Sequence, residues 1–142
     1  MGVKMHLNIF IFATIICMLL VSVSSKATHI VGNKIGWNIP SYPGFFADWA
    51  KDRTFVVGDF LQDGNMAVFV YHPGLNTVVQ VDKNGYDNCS TRNTIYTYFK
   101  GNSSVPLEKP GDYFFFSSVG KHCEAGQKLW INVVPQGQTS SR

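Results

Sequence analysis

Charge is scarce in this chain. Its 142 residues include 12 Lys or Arg and 9 Asp or Glu. Arginine is confined to Arg53, Arg92 and Arg142, and no basic stripe forms. That excludes the electrostatic footprint expected of a nucleic-acid binder or of a protein held on an anionic membrane. Carboxylates are as thinly spread, and no two pair as a general acid and base would. His122 stands near Ser117 and Ser118, but no acid is placed to orient it, so hydrolase chemistry is not expected and the chain is not read as an enzyme. Repeats and low-complexity segments are absent. Pro135 to Arg142 form a short polar tail (135–142) with no apolar run after it, so no GPI signal is expected in the chain as given.

Long apolar runs are missing everywhere except at the start. There the chain reads MGVKMHLNIFIFATIICMLLVSVSSKA. Lys4 precedes an apolar run from Leu7 to Val23, and Ser25 and Ala27 fit the small residues of a cleavage site. Residues 1–27 therefore read as a secretory signal peptide. The alternative is a membrane anchor, but the run is short for a bilayer. Removal of Lys4 and Lys26 with the signal takes the formal charge from +3 to +1. The rest is the right size for one domain, secreted and without a membrane span.

Cysteine is also rare: Cys17 leaves with the signal, and Cys89 and Cys123 remain. An even count in a secreted chain favours one disulfide. It would close a loop of about 35 residues, worth ~3–4 kcal/mol in the chain-entropy picture. Free thiols, or a Cys–His metal site using the adjacent His122, are the alternatives, and an oxidising compartment disfavours both. Two N-glycosylation sequons are present, Asn88-Cys89-Ser90 and Asn102-Ser103-Ser104. The Asn88 site is the weaker, because its middle residue is expected in the disulfide. Asn102 sits between a strand-like run and a proline, which suits an exposed turn.

Between Thr28 and Val134 the pattern is of short strands and turns. THIVG from Thr28, TFVV from Thr54, VFVY from Val68, TVVQV from Thr77, TIYTYF from Thr94, YFFF from Tyr113 and LWINVV from Leu129 are rich in β-formers. Asp63-Gly64 is a hairpin signal, and Asn84-Gly85 is read as breaking the strand before it. NIPSYPG, from Asn38 to Gly44, holds two prolines and cannot be regular. FFADWAKD from Phe45 is the one helical stretch, with Phe46, Trp49 and Ala50 on one face. Tyr86 is expected to pack against the disulfide segment. Seven or eight short strands predict an all-β sandwich or barrel.

VGNKIGWNIP, FFADWA, FVVGD, VFVYHPGLNTVVQV, YDNC, KPGDYFFF and HCEAGQKLWINVV, in that order, resemble the phytocyanins. These are plant cupredoxins that include early nodulin-like and lamin-like members, and the likeness runs from Thr28 to Val134. It implies a domain over 28–134 with a cupredoxin-like Greek-key β-sandwich, and a Cys89–Cys123 disulfide beside the metal end. The family's copper is held by two His, one Cys and an axial Met or Gln. By that likeness the first His position falls on Asn76, the thiolate position on Ser117, the second His on His122 and the axial position on Gln127. Asn76 offers an amide oxygen and Ser117 a hydroxyl, so no copper or other cofactor is expected. His72 is expected to face solvent, and adventitious Cu(II) or Zn(II) would use it or His122. His29 cannot be placed. His122 is expected to bond Asn76 or Ser117 where a metal would sit. Gln62 to Ala67 look like an insertion of about six residues, cheap in loop-closure entropy.

The resemblance implies the apoplast or the outer face of the plasma membrane. Early nodulin-like members continue into a Pro/Ser-rich stretch and a GPI tail, and this chain stops before either. The function expected is that of a monomeric secreted binding or structural module for an extracellular carbohydrate, peptide or protein. Tyr42, Phe45 and the Tyr71-His72-Pro73 turn are candidates for its exposed face. The alternative is an electron carrier with a divergent copper site.

Overall fold

The computed structural model describes residues 28–57 and 66–137. The expected signal peptide, the Asp63-Gly64 hairpin and residues 138–142 of the tail lie outside them. Eight strands and two α-helices run in the order β1 (Thr28–Ile30), a 3-10 turn (Asn33–Ile35), α1 (Phe45–Lys51), β2 (Phe55–Val56), β3 (Met66–Phe69), β4 (Val78–Val81), α2 (Lys83–Asn88), β5 (Thr94–Tyr98), β6 (Ser103–Pro106), β7 (Gly111–Phe116) and β8 (Lys128–Val134). They form a three-stranded sheet, β1-β3-β6, and a five-stranded sheet, β2-β8-β7-β4-β5. β1 runs parallel to β3, and β2 parallel to β8. Among the described residues no helix is long and apolar enough to cross a membrane.

The core lies between the sheets. Ala67 and Phe69 face it from β3, Val105 from β6, and Leu129, Ile131 and Val133 from β8. Alternation with period two sends every second side chain of a strand inward. Phe69 meets Phe115 across the gap, with ring centroids 5.1 Å apart. Trp37 is fully buried, with Phe69 edge-on at 4.9 Å and Phe46 of α1 at 4.8 Å. Its indole N–H donates to Thr77 O at 2.8 Å, so the one polar atom of a buried ring is satisfied.

β7 is apolar on both faces. Tyr113 and Phe115 pack on the main core, while Phe114 and Phe116 form a second cluster with Val79, Val81 and Cys123. α2 and the Cys89–Cys123 disulfide cover that cluster, with Tyr86 on Phe114 at 5.3 Å. Tyr86 thus packs where the sequence placed it. A strand buried on both sides reads as a continuous apolar run, which is what YFFF is.

Three expectations need correction. Among the described residues there are two α-helices where one was expected: β4 ends at Val81, before Asn84-Gly85, but that pair lies inside α2. Asp82 caps that helix, its carboxylate accepting from Gly85 N at 2.8 Å. Glycine is needed there because a Cβ would stand 2.9 Å from both Val81 Cβ and Ser90 O. β6 was not foreseen, since SSVP carries little β-propensity. It forms by pairing with β3, and Ser103 is buried with its hydroxyl bonded to Tyr71 Oη at 2.8 Å. Finally, Met66 and Ala67 belong to β3, not to a loop, and Ala67 is wholly buried.

His29 is buried beside Phe55. Burial, and then the Arg53 charge, push its pKa below 6.5. The folded state therefore takes up this proton less readily than the unfolded state. Stability from this group is intact above pH 6.5 and falls as pH drops from there towards the folded-state value. Urea unfolding at stepped pH should show this slope, and His29→Leu should flatten it. An unchanged slope in the variant would assign the effect elsewhere.

Candidate functional site

Strand register gathers the site. Val79 lies opposite Phe116, and Phe116 opposite Lys128. The residues just beyond that row therefore converge at one end of the sandwich: Asn76 and Thr77 before β4, Ser117 after β7, Gln127 before β8. The ladder continues there, with Ser117 N donating to Gln127 O at 3.1 Å. The loop from β7 to β8 folds back on itself. His122 N donates to Val119 O at 3.0 Å and Gln127 N to His122 O at 2.9 Å. Cys123, the next residue after His122, is bonded to Cys89. Gly126 has φ +104° and stands so close to Pro43 that a Cβ would lie 2.5 Å from Pro43 Cα. A side chain there would push the Pro-rich loop off this end.

Asn76 is the hub. Its Oδ1 accepts from Gln127 Nε2 at 2.9 Å and faces His122 Nδ1 at 3.2 Å. An amide oxygen only accepts, so the bond to His122 places the proton on Nδ1. Asn76 Nδ2 donates to Asn38 Oδ1 at 3.3 Å, and Asn38 Nδ2 donates to Ile35 O at 2.7 Å. Three carboxamides thus donate in one direction, from Gln127 through Asn76 and Asn38 to the 3-10 turn. Ser117 is buried but joins a different set, its Oγ accepting from Thr77 N at 3.3 Å. Gln127 is fully buried, and its Oε1 has no hydrogen-bond partner among the described residues.

The structure brings Asn76, Ser117, His122 and Gln127 together, and His122 bonds Asn76, not Ser117. His72 is exposed in its turn and takes no part. His29 lies at the opposite end, since it pairs with Ala67 near the start of β3. Of the aromatic candidates, Tyr42 is exposed and Phe45 half-buried, but Tyr71 is buried, held by its bond to Ser103. Sequence reading missed Asn38, Ile39 and Leu75. Leu75 is 62% exposed and Ile39 51% exposed, and each adjoins a member of the amide chain. The only sequence signal for them was their place beside Pro- and Gly-rich turns.

Two facing sheets with mixed parallel and antiparallel pairing, and a ligand-type loop between the last two strands, define a cupredoxin-type sandwich. A family model described as a plastocyanin-like domain matches residues 37–127. Early nodulin-like protein 14 of Arabidopsis thaliana is 36% identical over 130 residues, which cover 90% of this chain and 66% of that protein. Cucumber peeling cupredoxin of Cucumis sativus is 36% identical over 118 residues, 82% of each chain. The solved structure of cucumber stellacyanin with Cu2+ superposes with a TM-score of 0.68 at 32% identity, over 80% of this chain and all of that one. The chain belongs to the phytocyanin family. It spans about two thirds of the length of the early nodulin-like relatives, between 65% and 70% for three of them.

Copper in such a centre is held by a soft thiolate and two imidazoles with a weak axial group. The four residues that converge here offer one imidazole, two carboxamides and a hydroxyl. The sulfurs of Cys89 and Cys123 are bonded to each other. Among the described residues no three His, Cys, Asp or Glu gather closely enough to share a metal. This donor set does not fit a blue-copper centre.

If Asn76 is the hub, Asn76→Ala should cost the most of any change at this end. It strands the buried Gln127 carboxamide, a loss of about 2–3 kcal/mol. Ser117→Ala removes one bond, and His122→Ala a half-exposed one, each about 1 kcal/mol. Denaturant melts rank the three. Equal losses for His122→Ala and Asn76→Ala would mean that Asn76 is not the centre of the network.

Proposed function

We propose that this protein is a secreted phytocyanin that works as a recognition or structural module at the plant cell surface or in the apoplast, without copper and without enzymatic activity. One observation carries the reading: carboxamides bonded to one another occupy the loop end where the metal ligands of a blue-copper protein would have to converge. Asn76, Ser117, His122 and Gln127 stand at the ligand positions implied by the sequence resemblance. The amide bonds running from Gln127 through Asn76 and Asn38 to Ile35 O hold these loops in one arrangement, which lowers the ordering cost of binding a partner.

Around this end Ile39, Tyr42 and Leu75 are exposed. They form an apolar rim on loops anchored through Asn38, Pro43 and Asn76. Such a rim suits an extracellular partner with an apolar face, whether a peptide, a protein or the C–H face of a carbohydrate. The electron-carrier alternative keeps the fold and the location but needs stoichiometric copper.

Titration of the disulfide-intact protein with Cu(II), followed by desalting, tests the two readings. The binding-module reading expects colourless protein and no retained metal. One tightly held copper with the colour of a copper–thiolate bond would defeat it and would require Cys123 to leave its disulfide. The positional assignment has its own test. Asn76→His with Ser117→Cys should restore a blue centre. A folded double variant that stays colourless would show that the ligand positions are wrongly placed.

A further inference from the structure

An open groove of about 670 Å³ lies where β1, β3 and β6 meet their loops, beside the amide chain, since Asn38 and Pro73 both line it. Its floor is Val70, just past β3. One wall is the segment around Lys34, Ile35 and Asn38, and the other is Lys100 to Asn102. Both walls are fastened to the floor. Trp37 N donates to Val70 O at 2.8 Å, and Tyr71 N donates to Asn102 Oδ1 at 3.3 Å. The groove mixes two exposed aliphatic side chains, Ile35 and Val70, with amide and ammonium donors and no carboxylate. Apolar patches with a few hydrogen-bonding groups suit a sugar, whose faces are C–H and whose edges are hydroxyl and acetamide.

The sequon Asn102-Ser103-Ser104 opens into this groove. Asn102 is exposed in a Gly101–Asn102 turn with φ +21°, and its oxygen is anchored by Tyr71 N. Its Nδ2, the atom to which an N-glycan attaches, makes no hydrogen bond among the described residues. The other sequon differs. Asn88 Nδ2 donates to both the backbone oxygen and the side-chain oxygen of Asn84, each at 2.9 Å, at the end of α2. A sugar on Asn88 would displace at least one of those bonds, and the middle residue of that sequon is tied into the disulfide.

We infer that Asn102, and not Asn88, carries an N-linked glycan, and that its first N-acetylglucosamine lies in the groove against Ile35 and Val70. In the transfer, Asn102 Nδ2 bonds to the anomeric carbon of a lipid-pyrophosphate-linked oligosaccharide. The anomeric C–O bond breaks, the lipid pyrophosphate leaves with the electron pair, and Nδ2 gives up one proton. No redox step is involved. The remaining N–H stays available, and the Tyr71 bond to the oxygen is untouched. A glycan seated there closes this groove to outside ligands and borders the loop end at Asn38 and Pro73. The inference needs passage through the secretory route but is independent of what the protein recognises.

The test is expression of the full chain in plant secretory cells, with intact mass before and after peptide N-glycosidase treatment. One glycan is expected, lost in Asn102→Gln and in Ser104→Ala, and kept in Asn88→Gln. Ser104→Ala leaves the Asn102–Tyr71 bond in place, so it separates loss of the sugar from loss of the turn. Nuclear Overhauser contacts between the first sugar and the methyls of Ile35 and Val70 are expected in the glycosylated protein. Unmodified mass, or a glycan that survives Asn102→Gln, overturns the site. A glycan on Asn102 without those contacts overturns the groove.

Discussion

Burial of β7 on both faces is the constraint on which the rest of the structure depends. One face of the strand closes the main core against β3 and β6. The other needs a cover, and the chain supplies it by inserting α2 between β4 and β5 and pinning it with Cys89–Cys123. The pin fixes more than the helix. Cys123 adjoins His122, so the loop between β7 and β8 is held against the second cluster at the point where it turns toward Asn76. Four phenylalanine or tyrosine rings in succession thus determine where the helix packs, where the disulfide forms and how the site loop returns.

The site that follows is polar in an apolar setting. Buried amides gain little over water when paired and cost much when unpaired, so the value of the Gln127–Asn76–Asn38 chain lies in what it forbids. Any shift of the loop bearing Asn76 breaks bonds to two other segments. The chain links the β7–β8 loop, the β3–β4 loop and the segment after β1, which are distant in sequence, and adds to the bonds that Thr77 makes with Trp37, Ser117 and Ser118. Fully apolar packing of the same volume could be as stable, but it would lack the directional bonds that fix one arrangement.

Much of this was legible beforehand, and the failures have physical causes. YFFF, LWINVV and TVVQV read as strands because β-branched and aromatic side chains mark a buried sheet. The convergence of Asn76, Ser117, His122 and Gln127 was legible only through the family likeness, since strand register cannot be read from these turns. The helix around Asn84-Gly85 is not legible because local propensity does not reveal a capping Asp82 or a backbone approach that only glycine allows. SSVP has no strand signature, and its pairing with β3 is a tertiary effect. Asn38 looked like one more polar residue in a Pro-rich loop. Its role depends on Asn76, 38 residues away in the sequence, and no local pattern encodes that contact.

On the reading that no metal ties this end together, the ties present must hold three loops. Each amide bond contributes about 1 kcal/mol net, so the chain of carboxamides is modest in strength. The disulfide contributes ~3–4 kcal/mol in the chain-entropy picture and lies next to His122. It is therefore the stronger restraint on the β7–β8 loop, with the amides setting its fine position. Gly126 against Pro43 adds a steric stop on the third side. These restraints leave the rim of Ile39, Tyr42 and Leu75 exposed yet fixed. Apolar side chains on anchored loops lose little further freedom on binding, so more of their burial energy reaches the partner. The proposed recognition role rests on that economy of motion more than on any single contact at the loop end.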